Sequence, residues 1–200
     1  MARFFVFMAL LFSASASAAP IYEMTNGILT RITDVEVNGM FYDVSFQNGS
    51  FNSIYGSADN LTFTTGAGAV AASNVLLSLM GENVVGSDGL TYDFEHGNWL
   101  VNGCANYIYC DMMTTYNAVT DALGNGRAYH VYARNFNDLY ASPGADSDFV
   151  MYGGLPSTYV TNRWPWYTYA IWTKSTLVPE ASSLLLLGVG LLGMSFARRR

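Results

Sequence analysis

The chain has 200 residues, with 15 Asp and Glu against 9 Lys and Arg, and a formal net charge of −6 at pH 7. Binding to a phosphate backbone or an anionic lipid surface rests on clustered Lys and Arg, so this balance argues against nucleic acid and against an anionic membrane surface as partners. Solubility and attraction of cations are what the charge leaves.

The chain opens with Arg3, then an apolar run from Phe4 to Phe12, then small residues from Ser13 to Ala19. That order of charge, grease and small residues, with Ala16-Ser17-Ala18 as the cleavage tract, predicts a signal peptide over residues 1–18. Cutting after Ala19 would leave Pro20 next, whose fixed φ and missing N–H suit a protease active site poorly. The structural alternative is a short N-terminal core helix. Residues 19–177 are then an exported ectodomain, a comfortable length for one domain with its own core. Up to Val178 it holds five basic residues, Arg31, Arg127, Arg134, Arg163 and Lys174, against fourteen acids, a net charge of −9.

Within the ectodomain Val35 and Val37 alternate with Glu36, Asn38-Gly39 is a two-residue turn signal, and Met40, Tyr42, Val44 and Phe46 alternate with Phe41, Asp43 and Ser45. A β-hairpin is expected there, closed by Asn48-Gly49. Ala69 to Met80 predicts an amphipathic helix with Val70, Ser73, Leu76, Leu77 and Met80 on one side, Thr64 or Thr65 near its start and Gly81 past its end. Arg127 to Arg134 and Trp164 to Thr173 read as aromatic-rich strands, and Asn135 to Tyr159 as Gly, Pro and Asp-rich loops. The expected fold class is α+β, an antiparallel β-sheet with one packed helix.

The only two cysteines, Cys104 and Cys110, sit in NGCANYIYC, and in an oxidising compartment a disulfide across this short loop is the natural reading. Two thiols with no histidine nearby are too few ligands for a metal. His96 stands in DFEHGNW beside Asp93 and Glu95, and His130 in a strand, sharing a face with Tyr132 and Arg134. The chain has no Gly-x-Ser-x-Gly elbow, His-Glu-x-x-His, phosphate loop or dinucleotide fingerprint, so no catalytic residue and no cofactor are assigned. Both histidines read as structural or solvated, and the expectation is a protein that is not an enzyme. Asp138, Asp146 and Asp148 invite a calcium reading, but their spacing is not that of an EF-hand and Asp in loops serves turns, as do Asp88 and Asp93 about Gly89. No metal site is expected.

RWPWYTYAIWT, from Arg163, is the candidate ligand-binding stretch. As a strand it would set Trp164, Trp166, Thr168 and Ala170 on one face and Tyr167, Tyr169 and Ile171 on the other. One set is expected in the core and the other free to stack on sugar rings or pack a protein, on an edge strand or strand start marked by Pro165. A core occupying both faces is the plainer alternative.

Residues 178–200 form a tail in three parts. Val178-Pro179-Glu180 leads through small residues to the uncharged run Leu184 to Ala197, and Arg198, Arg199 and Arg200 follow. As a helix that run spans roughly 21 Å, short for a bilayer core of about 30 Å, which snorkelling arginines and local thinning can cover. The triple arginine then stops on the cytoplasmic side, as Arg3 does, and everything between lies across the membrane. The alternative of a buried C-terminal helix is opposed by the lack of any polar face and by the abrupt charge. This tail resembles a PEP-CTERM sorting signal, the mark of exosortase substrates in exopolysaccharide-producing Gram-negative bacteria, with Ala181 standing where the motif has its second proline. The resemblance implies a single transmembrane helix, signal peptidase and exosortase as processing partners, a transient inner-membrane intermediate, and a product at the cell surface or outside the cell. The order from Gly27 to Thr173 also resembles an ectodomain found repeatedly before such tails, which implies no activity. The expected function is a structural or adhesive, non-catalytic protein of the surface or biofilm matrix. A carbohydrate-binding module for exopolysaccharide using the 164–172 stretch is the alternative, and a secreted hydrolase using His96 with Asp93 or Glu95 a third.

Overall fold

A computed structural model describes residues 19–105, 108–120, 125–137 and 148–175 of the protein. The expected signal peptide at 1–18, the tail residues Val178, Pro179, Glu180, Arg198, Arg199 and Arg200, and the acids Asp138 and Asp146 lie outside the described residues.

Strand β1 (Ile21–Thr25) turns through Asn26 and Gly27 into β2 (Ile28–Val37), which turns through Asn38 and Gly39 into β3 (Met40–Gln47). In both turns Asn has φ of 52° and Gly 77°, the pair of left-handed residues whose twist matches that of the flanking strands. The expected hairpin is therefore present, with Val37 opposite Met40 and Ile32 opposite Val44. A bulge interrupts β2, where Asp34 at φ 59° donates its N–H to Asp43 Oδ1 at 3.3 Å.

After β3 comes a four-residue helix, α1 (Phe51–Ile54), whose Ser50 cap accepts from the Ser53 N–H. The main helix, α2 (Gly66–Leu79), starts three residues before the expected Ala69 because Thr65 caps it, accepting from the Gly68 N–H at 3.2 Å. Its buried face is Ala69, Ala72, Ser73 and Leu76, while the expected Val70 and Leu77 are only half-buried. Small residues let the helix lie close on the sheet.

A small hairpin of β4 (Val84–Val85) and β5 (Thr91–Tyr92) follows, then β6 (Tyr109–Thr120), β7 (Gly126–Phe136), β8 (Phe149–Pro156) and β9 (Tyr167–Lys174). Seven strands form one sheet in the order β1-β2-β3-β9-β6-β7-β8. β9 pairs antiparallel with β3 but parallel with β6, so the sheet is mixed rather than antiparallel throughout. The stretch expected as loops from Asn135 to Tyr159 instead contains the end of β7 and the whole of β8. β9 begins at Tyr167, not Trp164, and lies in the middle of the sheet, so of the two expectations for Pro165 the strand start fits, two residues ahead of β9, and the edge does not.

Both faces of the sheet are covered. On one side α2 packs across β6 and β7, over Leu29, Val35, Val44, Met112, Val131 and Trp172. On the other, α1 and its flanks bring Phe51, Tyr55 and Leu61 against Met113, Tyr132 and Tyr169. Adjacent residues alternate between the two layers, Met112 to one and Met113 to the other, as the pleat requires.

Candidate functional site

The candidate site grows from the segment that leads into β9. A single 3₁₀ turn, Thr161–Arg163, ends with the Trp164 N–H donating to the Thr161 carbonyl at 2.8 Å. The next two carbonyls are held from neighbouring elements: Ala105 N–H donates to Pro165 O at 2.6 Å, and Asp111 N–H to Trp166 O at 2.7 Å. Residues 164–166 thus form a fixed corner and not a strand, so the expected alternation of faces does not begin until Tyr167.

On this corner the Trp164 and Trp166 rings lie 5.1 Å apart at 47°, and Trp164 is 41% exposed. Trp166 leans on Tyr109 at 6.2 Å and on Tyr167 at 6.1 Å, and Tyr159 meets Tyr167 edge-on. Trp164 and Trp166 therefore come together as expected, Tyr167 joins them although it was expected on the opposite face, and Tyr169 does not. It is fully buried, edge-on to Tyr55 and His130, and is a core residue rather than a ligand contact. β9, flanked by strands and covered on both faces, places both of its side-chain sets in the core.

Residues that sequence reasoning missed brace this shelf. The Arg134 guanidinium grips the fully buried Asp111 carboxylate with two bonds of 2.6 Å, Nε to Oδ1 and Nη2 to Oδ2. It also lies 4.1 Å over the Tyr109 ring and 5.3 Å from that of Phe149. Burial pushes the Asp111 carboxyl up, opposed by Arg134, and the hydrogen bonds that Arg134 donates to Asp111 hold the guanidinium firmly charged. Asp111 and Arg134 stand opposite each other on β6 and β7, so only the strand register could have revealed them.

The Cys104–Cys110 disulfide is present, with Cα atoms 5.7 Å apart. It ties the loop under the shelf to the start of β6. The loop is also bonded through Asn102, whose N–H donates to Leu29 O and whose Nδ2 donates to Phe46 O, and through Gly103, whose carbonyl accepts from Asn48 Nδ2. Gly103 has φ 91°, and a Cβ there would meet Thr168 Oγ1 at 2.5 Å.

The two histidines have different surroundings. His96 Nδ1 lies 2.8 Å from Asp93 Oδ2, and its N–H donates to Asp93 Oδ1, a local turn in which Asp93 serves as brace. Burial works against the Asp93 charge, yet these hydrogen bonds hold its carboxyl below the usual range. His130 is fully buried, with Nδ1 2.9 Å from Thr115 Oγ1, and its burial lowers its pKa to about 3. It shares its face with Tyr132, as expected. Asp88 accepts from the Leu90 N–H and the Tyr92 hydroxyl, and Asp148 from the Phe136 N–H, so these acids serve turns and strand ends. Among the described residues no three His, Cys, Asp or Glu gather as a metal site, and no helix is long and apolar enough to cross a membrane. At the far ends of β6 to β8 a shallow groove of about 430 Å³ lies between Val119, Arg127, Tyr129 and Pro156.

Residues 177–200 match the family model of the PEP-CTERM protein-sorting motif. The match coincides with the tail that begins at Val178 and includes no residue of the sheet. A tail of this kind marks an exported protein sorted by exosortase toward the cell surface or extracellular space. No curated protein and no solved structure matches the chain.

Proposed function

We propose that the chain is a non-catalytic surface or extracellular-matrix protein, structural or adhesive in role, whose signal peptide and tail are removed during export by signal peptidase and exosortase. The observation that carries this reading is the sorting motif at 177–200. The disulfide supports it, since such bonds persist in oxidising compartments. The burial of His130 supports the non-catalytic part, since a sealed ring meets no substrate, while the pairing of His96 with Asp93 is the one the hydrolase reading would use.

Intact mass, measured with and without reductant on protein recovered from membrane and extracellular fractions of its own cells, tests the proposal. The expected product lacks residues 1–18 and the tail, and gains two hydrogens on reduction. A product retaining Leu184 to Arg200 would defeat tail removal and leave a membrane-anchored domain. Turnover in a broad hydrolase panel, abolished by His96→Ala, would instead establish the hydrolase reading.

A second reading rests on Trp164. An exposed indole tilted against a half-buried partner is a surface suited to sugar rings, with Trp166 and Tyr167 as its support. Exopolysaccharide is the ligand this reading names. A folded Trp164→Ala variant retained on the polysaccharide as well as wild type would end it.

A further inference from the structure

Asparagine is followed by glycine at Asn26, Asn38, Asn48, Asn102 and Asn125. Glycine has no Cβ to shield its own backbone nitrogen, so that nitrogen can approach the carbonyl carbon of the preceding Asn side chain. The fold treats these pairs differently.

Asn48 and Asn102 are locked. Thr161 Oγ1 donates to Asn48 Oδ1 at 3.0 Å and accepts from the Gly49 N–H at 3.0 Å, while Asn48 Nδ2 donates to Gly103 O at 3.4 Å. Attacking nitrogen and target carbonyl are both held. Asn102 Nδ2 donates to Phe46 O at 2.7 Å, and Gly103 is so enclosed that a Cβ there would meet Asn48 Oδ1 at 2.7 Å. Asn26 and Asn38 stand open. Each is exposed at the first position of a two-residue turn with φ 52°, and a Cβ on Gly27 or Gly39 would meet nothing within 4 Å. Among the described residues no hydrogen bond holds either Asn side chain, and neither glycine N–H is donated.

We infer that Asn26-Gly27 and Asn38-Gly39 are sites of spontaneous deamidation, at which the folded protein is converted with age to aspartate and isoaspartate. The glycine nitrogen, its proton lost to solvent base, bonds to Asn Cγ, and ammonia leaves. Water then opens the resulting imide at either carbonyl, so one water is consumed for each ammonia released and nothing is oxidised or reduced. Bringing the two atoms together at Asn26 or Asn38 needs only local fraying of an exposed turn, whereas at Asn48 the bonds to Thr161 and Gly103 must break first. Each conversion adds one negative charge, so the ectodomain passes from −9 to −11 when both react. Isoaspartate also inserts a methylene into the main chain, and the turn then no longer fits strands that pair Thr25 with Ile28 and Val37 with Met40. The two hairpins thus register how long the folded protein has existed, whatever the fate of the tail or the ligand of the shelf.

The test is peptide mapping by mass spectrometry of protein from its own cells, aged folded and aged in urea, at neutral and at mildly alkaline pH. In urea all four pairs should convert. In the folded protein Asn26 and Asn38 should convert, faster at the higher pH because the attacking nitrogen must be deprotonated, while Asn48 lags by about a hundredfold, the effect of three net hydrogen bonds. Thr161→Val keeps the shape of the buried side chain and should raise the rate at Asn48, with folding checked by circular dichroism. If that variant does not fold, the comparison of folded with urea-treated wild type decides alone. Asn26 and Asn38 intact in folded protein but converted in urea would overturn the inference. Equal conversion of all four pairs in the folded protein, or a folded Thr161→Val in which Asn48 stays as slow, would do the same.

Discussion

His130 stands midway along β7 with its ring fully buried between Tyr132 and Tyr169, and its Nε2 finds no partner among the described residues. Burial disfavours the charged ring, so its pKa falls from 6.5 to about 3. The unfolded chain therefore binds a proton that the folded one refuses. Stability is complete above pH 6.5 and falls with acidification at about 1.4 kcal/mol per pH unit, reaching a loss of about 2 kcal/mol by pH 5. Asp88 and Asp93, whose carboxyls are lowered, add losses only below the ordinary carboxylate range, so the upper window belongs to His130 rather than to them. Urea titrations from pH 7 to 4.5 should show this slope, and His130→Gln should flatten it; an unchanged slope would remove burial as its cause. Trp164, three residues before β9 begins, and Tyr169, two residues after, make the opposite pair. Trp164→Ala removes an exposed ring and should change stability by about 0.5 kcal/mol or less, whereas Tyr169→Ala empties a packed position and should cost about 3 kcal/mol or more, both read from denaturant midpoints.

At the scale of elements, Ala105 holds the shelf through Pro165 O, and the Cys104–Cys110 disulfide restricts the unfolded chain beside it. Replacing both cysteines by serine should cost about 2 kcal/mol, the amount expected for so short a closed loop. Gly103→Ala should also destabilise, because its φ of 91° is left-handed and Thr168 and Asn48 stand where the methyl would go; equal melting temperatures for wild type and Gly103→Ala would contradict that. How far each element was legible depended on where its side chains went. The β2–β3 hairpin could be read because Asn38-Gly39 is a turn signal and the alternating residues of β3 face one layer. β6 could not, since Met112 and Met113 are both buried, on opposite faces, and YCDMMTTYNAVT shows no alternation. β8 looked like a loop because Gly153, Gly154 and Pro156 are turn residues anywhere but at an edge. Trp164 and Trp166 looked like strand positions because aromatic composition cannot distinguish a strand from a corner held by Ala105 and Asp111. The shelf's tryptophans were thus visible in the sequence, while Tyr109, Tyr159 and the Asp111–Arg134 grip depended on pairings between distant residues.

At the scale of the whole molecule, the order of strands in space differs sharply from their order along the chain. β1 to β3 form one block and β6 to β8 another, and β9 is the strand between them, bonded to β3 on one side and to β6 on the other. A chain ending before Tyr167 should leave the blocks without their common partner, so deleting residues 167–200 should abolish the cooperative unfolding transition, whereas a stop after Ser175 should preserve it. A sharp melt in the shorter chain would show that the blocks join without β9. Such long-range pairing is slow to form, because loop closure must precede the contacts that reward it. The arrangement also acts as a clock for a chain that crosses a membrane starting from its N-terminus. Until Tyr167–Lys174 has emerged, the central slot is empty and Val44, Met112 and Val131 have no finished core to enter. Two residues after Ser175 the sorting motif begins. Completion of the sheet and presentation of the tail are therefore nearly simultaneous events, and a chain delayed in folding reaches its processing step with a half-built sheet.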